Sequence, residues 1–130
     1  MKTILLIEDN DSIMDNLTEF LTLEGYLILT ARTGQTGIDI AREHRPDLIV
    51  CDMLMPEMDG NEVLRRLLTM AETAEIPFIF STSMSEKIDR NEAMRLGADD
   101  YIVKPFDPET LLAMVKKCIL TGSKRHHSVK

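Results

Sequence analysis

The sequence predicts an α/β protein built as a doubly wound, five-stranded parallel sheet. Five short apolar stretches alternate along the chain with five segments of helical periodicity, which is the order of a (βα)5 fold. The apolar stretches are nearly continuous, as expected of strands that are covered on both faces. Right-handed crossovers between such strands place helices on both faces of the sheet.

The predicted strands are short apolar runs. Four of them are strongly apolar, and the second in chain order is somewhat more polar. In chain order they are Ile4–Ile7, Tyr26–Ala31, Leu48–Asp52, Phe78–Thr82 and Tyr101–Val103.

The first three predicted helices have recognisable ends. Gly25 is typical of a helix C-terminus, Thr33 can cap the second helix, and that helix must stop before Pro46. The third helix runs from Gly60 to about Met70. Their apolar stripes are Ile13, Leu17, Phe20 and Leu21; Ile38, Ile40 and Ala41; and Val63, Leu64, Leu67 and Leu68.

The last two predicted helices differ in strength. The fourth, Glu86–Leu96, has few apolar residues and ends at Gly97. The fifth has a strong start, with Asp107 as N-cap and Pro108 at the first helical position. Its apolar stripe is Leu111, Leu112, Val115 and Ile119.

The length and composition of the chain are those of a single globular domain. Its 130 residues can bury a substantial core, with 44% hydrophobic and 28% charged residues. We expect the domain to cover residues 1–121, with residues 122–130 as a flexible tail or the start of a linker.

The net charge and the cysteines limit the functional classes. A net charge of −7 repels phosphate backbones, so this domain is not expected to bind DNA or RNA. Cys51 and Cys118 have neither metal-binding nor disulfide spacing, and the first residues resemble neither a signal peptide nor a membrane span. We therefore expect a cytoplasmic protein with reduced cysteines and no membrane partner.

Chemically reactive residues stand where several predicted strands end. Glu8 and Asp9 follow the first strand, Asp52 ends the third, Ser81–Thr82 ends the fourth, and Lys104 follows the fifth. Because open α/β sheets bind ligands at the carboxyl ends of their strands, we expect these side chains to form an acidic crevice. Clustered carboxylates need a cation, and their oxygens are the ligands that Mg²⁺ prefers.

Four segments at these strand ends resemble the receiver domain of bacterial two-component response regulators. They are "LIEDND", "IVCDMLMPEMDG", "FIFSTS" and "GADDYIVKPF", in that order. The resemblance extends over essentially the whole chain apart from its tail. It implies the flavodoxin-like strand order 2-1-3-4-5, which chemotaxis receivers share.

The resemblance also implies roles for the residues at this edge. Asp52 matches the phosphoryl-accepting aspartate, Lys104 the family's invariant lysine, and Thr82 its switch hydroxyl. The positions that match the Mg²⁺ site are Glu8, Asp9, Asp52 and, through its backbone carbonyl, Leu54. Pro105 matches a proline that usually follows a cis peptide bond.

The resemblance further implies how such a domain works in signalling. The phosphoryl donor would be a phosphohistidine on a sensor histidine kinase or a histidine phosphotransfer protein, and acetyl phosphate should also serve. The domain would catalyse only its own phosphorylation and dephosphorylation. The sequence does not identify a downstream target or a fused effector, and a monomer and a phosphorylation-dependent homodimer are both compatible with it.

Phosphorylation is expected to change a surface on the fourth helix, the fifth strand and the fifth helix. Thr82 would be drawn toward the phosphoryl group, and Tyr101, which matches the aromatic switch residue of the family, would move into the space that it leaves. The predicted output surface includes Arg90, Met94, Tyr101 and Lys116.

Three positions depart from common receiver patterns. Leu54 and Met84 are apolar where a polar side chain is frequent, so they cannot orient a water molecule, and we expect slow autodephosphorylation. Met114 stands where winged-helix regulators often carry an arginine that bridges a symmetric dimer. A dimer of that class is therefore less expected for this chain.

Two other functions are alternatives to a phosphorylation switch. A phosphatase or mutase of the haloacid-dehalogenase type would also use Asp52 as nucleophile, but it would carry a second acid at the position of Leu54. A degenerate receiver could serve only as a binding module. The chain argues against this because it keeps all the reactive residues of a receiver, which are Glu8, Asp9, Asp52, Thr82 and Lys104.

Overall fold

The computed structural model describes residues 1–83 and 90–122. Its elements are β1 Thr3–Ile7, α1 Asp11–Leu23, β2 Leu27–Ala31, α2 Gly34–His44, β3 Leu48–Asp52, α3 Gly60–Leu68, β4 Phe78–Ser83, α4 Arg90–Leu96, β5 Asp100–Lys104 and α5 Pro108–Thr121. The strands pair in parallel in the order β2-β1-β3-β4-β5, which confirms the predicted sheet.

The sheet divides the hydrophobic core into two parts. Because side chains alternate along each strand, Cys51, Phe78 and Phe80 pack on one face against α2, α3 and α4. Val50 and Ile79 pack on the other face against α1 and α5. Both faces of the sheet are therefore covered by helices, as the continuous apolar runs predicted.

Two aspartates strengthen the sheet at the end where its strands begin. The Asp47 N–H donates to the Thr3 carbonyl at 2.8 Å, and the Thr3 N–H donates to Asp47 Oδ2 at 2.8 Å. Asp99 and Phe78 exchange the same two kinds of hydrogen bond, each 2.8 Å long. These bonds hold β3 beside β1 and β5 beside β4, and they help to align the strand ends at the opposite edge.

The observed element boundaries differ from the predicted ones by a few residues. β5 is longer than its apolar run because polar residues at both ends, Asp100 and Lys104, also pair with β4. α3 ends at Leu68, and the buried Thr73 hydroxyl donates to the Leu67 carbonyl at 2.7 Å just beyond it. The predicted start of the fourth helix and the tail from residue 123 lie outside the described residues.

The two cysteines are buried free thiols, in agreement with the expectation of reduced cysteines, and they lie on opposite faces of the sheet. None of the helices in the described ranges has both the length and the apolar composition that are needed to cross a membrane.

Candidate functional site

The parallel sheet brings the predicted site residues to one edge. Glu8 and Asp9 follow β1 directly, while Asp52 and Lys104 are the last residues of β3 and β5. The Glu8 N–H donates to the Ala31 carbonyl at 2.9 Å, so the pairing of β1 with β2 continues as far as the site. The backbone at this edge is thus held by the sheet itself.

Glu8, Asp9 and Asp52 form a close cluster of carboxylates. One oxygen from each lies within 4.8 Å of the others. Glu8 and Asp52 are buried, with 4% and 6% of their surface exposed, whereas Asp9 is exposed to solvent. Charges of one sign at this distance repel one another, so the cluster requires positive charge, and the exposed Asp9 gives an ion access to it.

Lys104 supplies one positive charge to the cluster. Its Nζ atom is 2.9 Å from Glu8 Oε1 and 3.3 Å from Asp52 Oδ1. Burial disfavours the ammonium, but hydrogen bonding and Coulomb attraction from Glu8, and then from Asp52, outweigh it and raise the pKa of Lys104. The next peptide bond, Lys104–Pro105, is cis.

Asn10, which the sequence analysis did not single out, positions Glu8. Its backbone N–H donates to Glu8 Oε2 at 3.1 Å, and its side chain caps α1 by accepting a bond from the Ile13 N–H at 3.0 Å. An asparagine directly before an apolar helical stripe is an N-cap signal that could have identified it. The start of α1 therefore fixes the second oxygen of Glu8.

The loop between β3 and α3 passes directly over the backbone of Asp52. The Gly60 N–H donates to the Met53 carbonyl at 2.8 Å, and a Cβ atom at position 60 would lie 2.6 Å from the Asp52 carbonyl oxygen. A side chain at position 60 would force this loop away from β3. In the same loop Leu54 is 64% exposed, so its apolar side chain reaches solvent two residues after Asp52.

Thr82 and Tyr101 lie on the face of the sheet that packs against α2, α3 and α4. Tyr101 is paired with Phe80, and Val103 is paired with Thr82, so the two are diagonal neighbours on that face. Thr82 is buried and Tyr101 is partly buried. Ser81 alternates with Thr82 and lies on the other face.

The predicted output surface is described in part. α4 packs against β5, Met94 and Tyr101 are partly buried, and Lys116 is exposed. Met84 and the side chain of Arg90 lie outside the described residues.

The ligand atoms of the carboxylate cluster suit a hard divalent cation. All three side chains offer oxygen, the ligand type that Mg²⁺ requires. Burial raises the pKa of the neighbouring Cys51 thiol, and this thiol donates a hydrogen bond to the Asp52 carbonyl at 3.3 Å. It is therefore not a thiolate ligand, and the residues present fit Mg²⁺ better than a soft metal.

Comparison with protein families matches residues 4–116 to the family described as the response regulator receiver domain. The transcriptional regulatory protein AfsQ1 of Streptomyces coelicolor is 40% identical over 124 residues, which are 95% of this chain and 54% of AfsQ1. Protein PilH of Pseudomonas aeruginosa is 37% identical over 122 residues, which are 94% of this chain and all of PilH. The chain thus spans about half of one relative and the whole length of the other.

A similar solved structure is the receiver domain of the sensor histidine kinase PA1611 from Pseudomonas aeruginosa. It has a TM-score of 0.83 and 27% sequence identity, and the match covers 91% of this chain and 97% of that one. That crystal structure holds a magnesium ion coordinated in its active-site cleft.

Proposed function

Because the chain belongs to the response regulator receiver family, we propose that Asp52 accepts a phosphoryl group in a Mg²⁺-dependent reaction and so switches a signalling surface. The domain is a receiver of two-component signalling. The observation that carries the proposal is the meeting of Glu8, Asp9, Asp52 and Lys104 at one edge of the sheet.

Transfer of the phosphoryl group to Asp52 needs an aligned nucleophile and positive charge that offsets the negative charge of the phosphoryl oxygens. An oxygen of Asp52 forms a P–O bond while the P–N bond of the donor breaks. The imidazole nitrogen keeps the electron pair and takes up a proton. Asp9, Asp52 and the Leu54 carbonyl would hold Mg²⁺, with Glu8 binding it through a water. Bound Mg²⁺ would supply positive charge to the phosphoryl oxygens.

Lys104 and Thr82 would bind two further phosphoryl oxygens. The Lys104 ammonium lies 3.3 Å from Asp52 Oδ1, so a small movement would bring it to a phosphoryl oxygen bonded there. Thr82 is the second-last residue of β4, beside the strand that carries Asp52, and its hydroxyl would donate to another oxygen.

The same movement of Thr82 would produce the signal. Tyr101 lies on the same sheet face, one diagonal step from Thr82, and α4 packs beside it. A shift of Thr82 toward the phosphoryl group would leave room for the ring of Tyr101 and would alter the surface formed by α4, β5 and α5.

Leu54 is the basis for proposing slow autodephosphorylation. Hydrolysis requires a water molecule in line with the P–O bond of the aspartyl phosphate. The Leu54 side chain has no polar atom that could orient this water, although its exposure places it where a polar side chain could act. The phosphorylated state should therefore be long-lived.

The partners follow from the phosphoryl chemistry. We propose a sensor histidine kinase or a histidine phosphotransfer protein as donor, in the cytoplasm, with this domain catalysing only its own phosphorylation and dephosphorylation. Relatives such as AfsQ1 are transcriptional regulators, so a downstream target or an attached effector domain would read the switched surface.

Intact-mass measurement after incubation with acetyl phosphate and Mg²⁺ tests the proposal. We expect one phosphoryl adduct on the wild-type chain and none on Asp52→Asn or when a chelator removes Mg²⁺. Asp39→Asn, which changes an exposed aspartate on α2, is the matched control and should be labelled normally.

The same measurement separates the other functions. Continuous hydrolysis of acetyl phosphate without a stable adduct would indicate a phosphatase, and no reaction at all would indicate a binding module. Labelling of Asp52→Asn at the wild-type level would disprove the proposed acceptor.

A further inference from the structure

Ser81 carries a buried hydroxyl beside the acceptor and has no role in the proposed phosphoryl transfer. The residue is 3% exposed, and its Oγ atom has no hydrogen-bond partner among the residues that the structure describes. A buried hydroxyl without a partner destabilises a fold, so its presence next to a reactive site requires an explanation.

The register of the sheet places Ser81 against Asp52. The two residues are direct partners in the ladder between β3 and β4, and the Met53 N–H donates to the Ser81 carbonyl at 2.8 Å. Because residues paired across parallel strands point to the same face, the side chains of Ser81 and Asp52 lie on the face that also carries Val50 and Ile79. Neighbouring strands lie about 4.8 Å apart, so a rotation of the Ser81 side chain can bring its hydroxyl to an Asp52 oxygen.

Phosphorylation changes the hydrogen-bonding atoms of Asp52. One carboxylate oxygen becomes the bridge to phosphorus, and the other remains as a carbonyl oxygen that can accept hydrogen bonds. Lys104, now 3.3 Å from Asp52 Oδ1, is attracted to the more highly charged phosphoryl oxygens. Lys104 would therefore shift toward the phosphoryl group and leave the carbonyl oxygen of Asp52 to other donors.

We infer that Ser81 is a positioning residue that donates a hydrogen bond to the carbonyl oxygen of phosphorylated Asp52. It makes no such bond in the unphosphorylated structure described here. The inference rests on the proposed phosphorylation of Asp52 and gives a role to a residue to which the resemblance assigns none. Ser81 would then favour the phosphorylated state and hold the Asp52 side chain in one orientation within it.

Removing the hydroxyl should have opposite effects in the two states. In the unphosphorylated protein, Ser81→Ala removes a buried group without a partner, so the melting temperature should stay the same or rise. In the phosphorylated state the same change removes a hydrogen bond. The affinity for a phosphoryl mimic should then fall roughly two- to tenfold, the range expected for one such bond.

Thermal unfolding with and without beryllofluoride and Mg²⁺ measures both effects, because beryllofluoride bonds to an aspartate oxygen as a phosphoryl group does. Thr18→Val is the matched control, since Thr18 Oγ1 on α1 is also buried without a partner among the described residues but lies outside the β3–β4 ladder. Thr18→Val should bind beryllofluoride as the wild type does. Ser81→Thr, which keeps the hydroxyl, should restore the affinity that Ser81→Ala loses.

Three outcomes of the beryllofluoride experiment would contradict the role of Ser81. If Ser81→Ala and the wild type bind beryllofluoride with equal affinity, the inference is overturned. It is also overturned if Ser81→Ala loses the same stability with and without beryllofluoride, because that result indicates a purely structural role. If wild type neither binds beryllofluoride nor gives a phosphoryl adduct, the proposed function fails and the inference fails with it. If the wild type binds beryllofluoride and Ser81→Ala binds it equally well, only the role of Ser81 is disproved and the proposed function stands.

Discussion

Lys104 and Glu8 form an ion pair across the sheet, although two strands separate β5 from β1. The Lys104 Nζ atom reaches over β4 and β3 and lies 2.9 Å from Glu8 Oε1, and on the way it also contacts Asp52. One ammonium therefore serves two buried carboxylates. This sharing places the lysine where a charge added to Asp52 would redirect it.

Replacing Lys104 by methionine should destabilise the metal-free protein. The change leaves Glu8 and Asp52 buried without their shared cation, and we expect the free energy of unfolding to fall by about 1–3 kcal/mol. Mg²⁺ should recover part of this loss, because it supplies positive charge to the same carboxylates. Urea unfolding with and without Mg²⁺ measures both changes.

Arg65→Met is the control for this prediction, because Arg65 pairs with Glu62 on an exposed surface of α3. Solvent screens such a pair, so the effect should be much smaller and independent of Mg²⁺. If the two substitutions lowered the free energy of unfolding equally, the buried ion pair would contribute no more to stability than an exposed one.

Leu54→Asn should shorten the lifetime of the phosphorylated state. The amide would place hydrogen-bonding atoms at an exposed position two residues after Asp52, where they can orient water. We expect loss of the phosphoryl group to become several-fold faster, as followed by intact mass after removal of the donor. Leu23→Asn, which changes another exposed leucine at the end of α1, should leave the rate unchanged. An unaltered rate in Leu54→Asn would reject the shielding role.

Gly60→Ala should disturb both stability and the site. The new Cβ would lie 2.6 Å from the Asp52 carbonyl oxygen and 2.9 Å from Met53 Cα, and both are backbone atoms that cannot move freely. We expect a loss of about 1–3 kcal/mol in the free energy of unfolding, together with weaker labelling by acetyl phosphate. Asn61→Ala at the exposed neighbouring position should change neither, and a fully stable Gly60→Ala would show that the loop can shift without cost.

The stability of the protein should fall at alkaline pH in part because of Cys51. Burial, followed by Asp52 and other nearby acids, raises the pKa of this thiol well above its ordinary value of 9.0, so the native state keeps the proton. Below pH 9 both states are protonated and the thiol contributes no pH dependence. Above pH 9 the unfolded chain releases the proton and gains stability, by up to about 1.4 kcal/mol per pH unit.

Chemical unfolding of wild type and Cys51→Ala between pH 8 and 10.5 checks this. The variant should lose stability less steeply above pH 9, since both proteins share every other titrating group. Parallel curves would show that Cys51 does not contribute.

The sequence alone determined which segments form strands and helices and which residues stand at the strand ends. Continuous apolar runs such as Leu48–Asp52 can only be buried on both sides, and parallel strands bring their carboxyl ends to one edge. The resemblance to receivers then predicted roles for Asp52, Lys104 and Thr82, because these residues stand at characteristic positions in the motifs.

Only the tertiary structure decided how these side chains are paired. Lys104 contacts Glu8 as well as Asp52, Asn10 holds the second oxygen of Glu8, and Ser81 lies beside Asp52 without a partner among the described residues. Pairing of this kind depends on strand register and on how far a side chain reaches across neighbouring strands. Local patterns do not contain that information, because the partners are up to 96 positions apart in the chain.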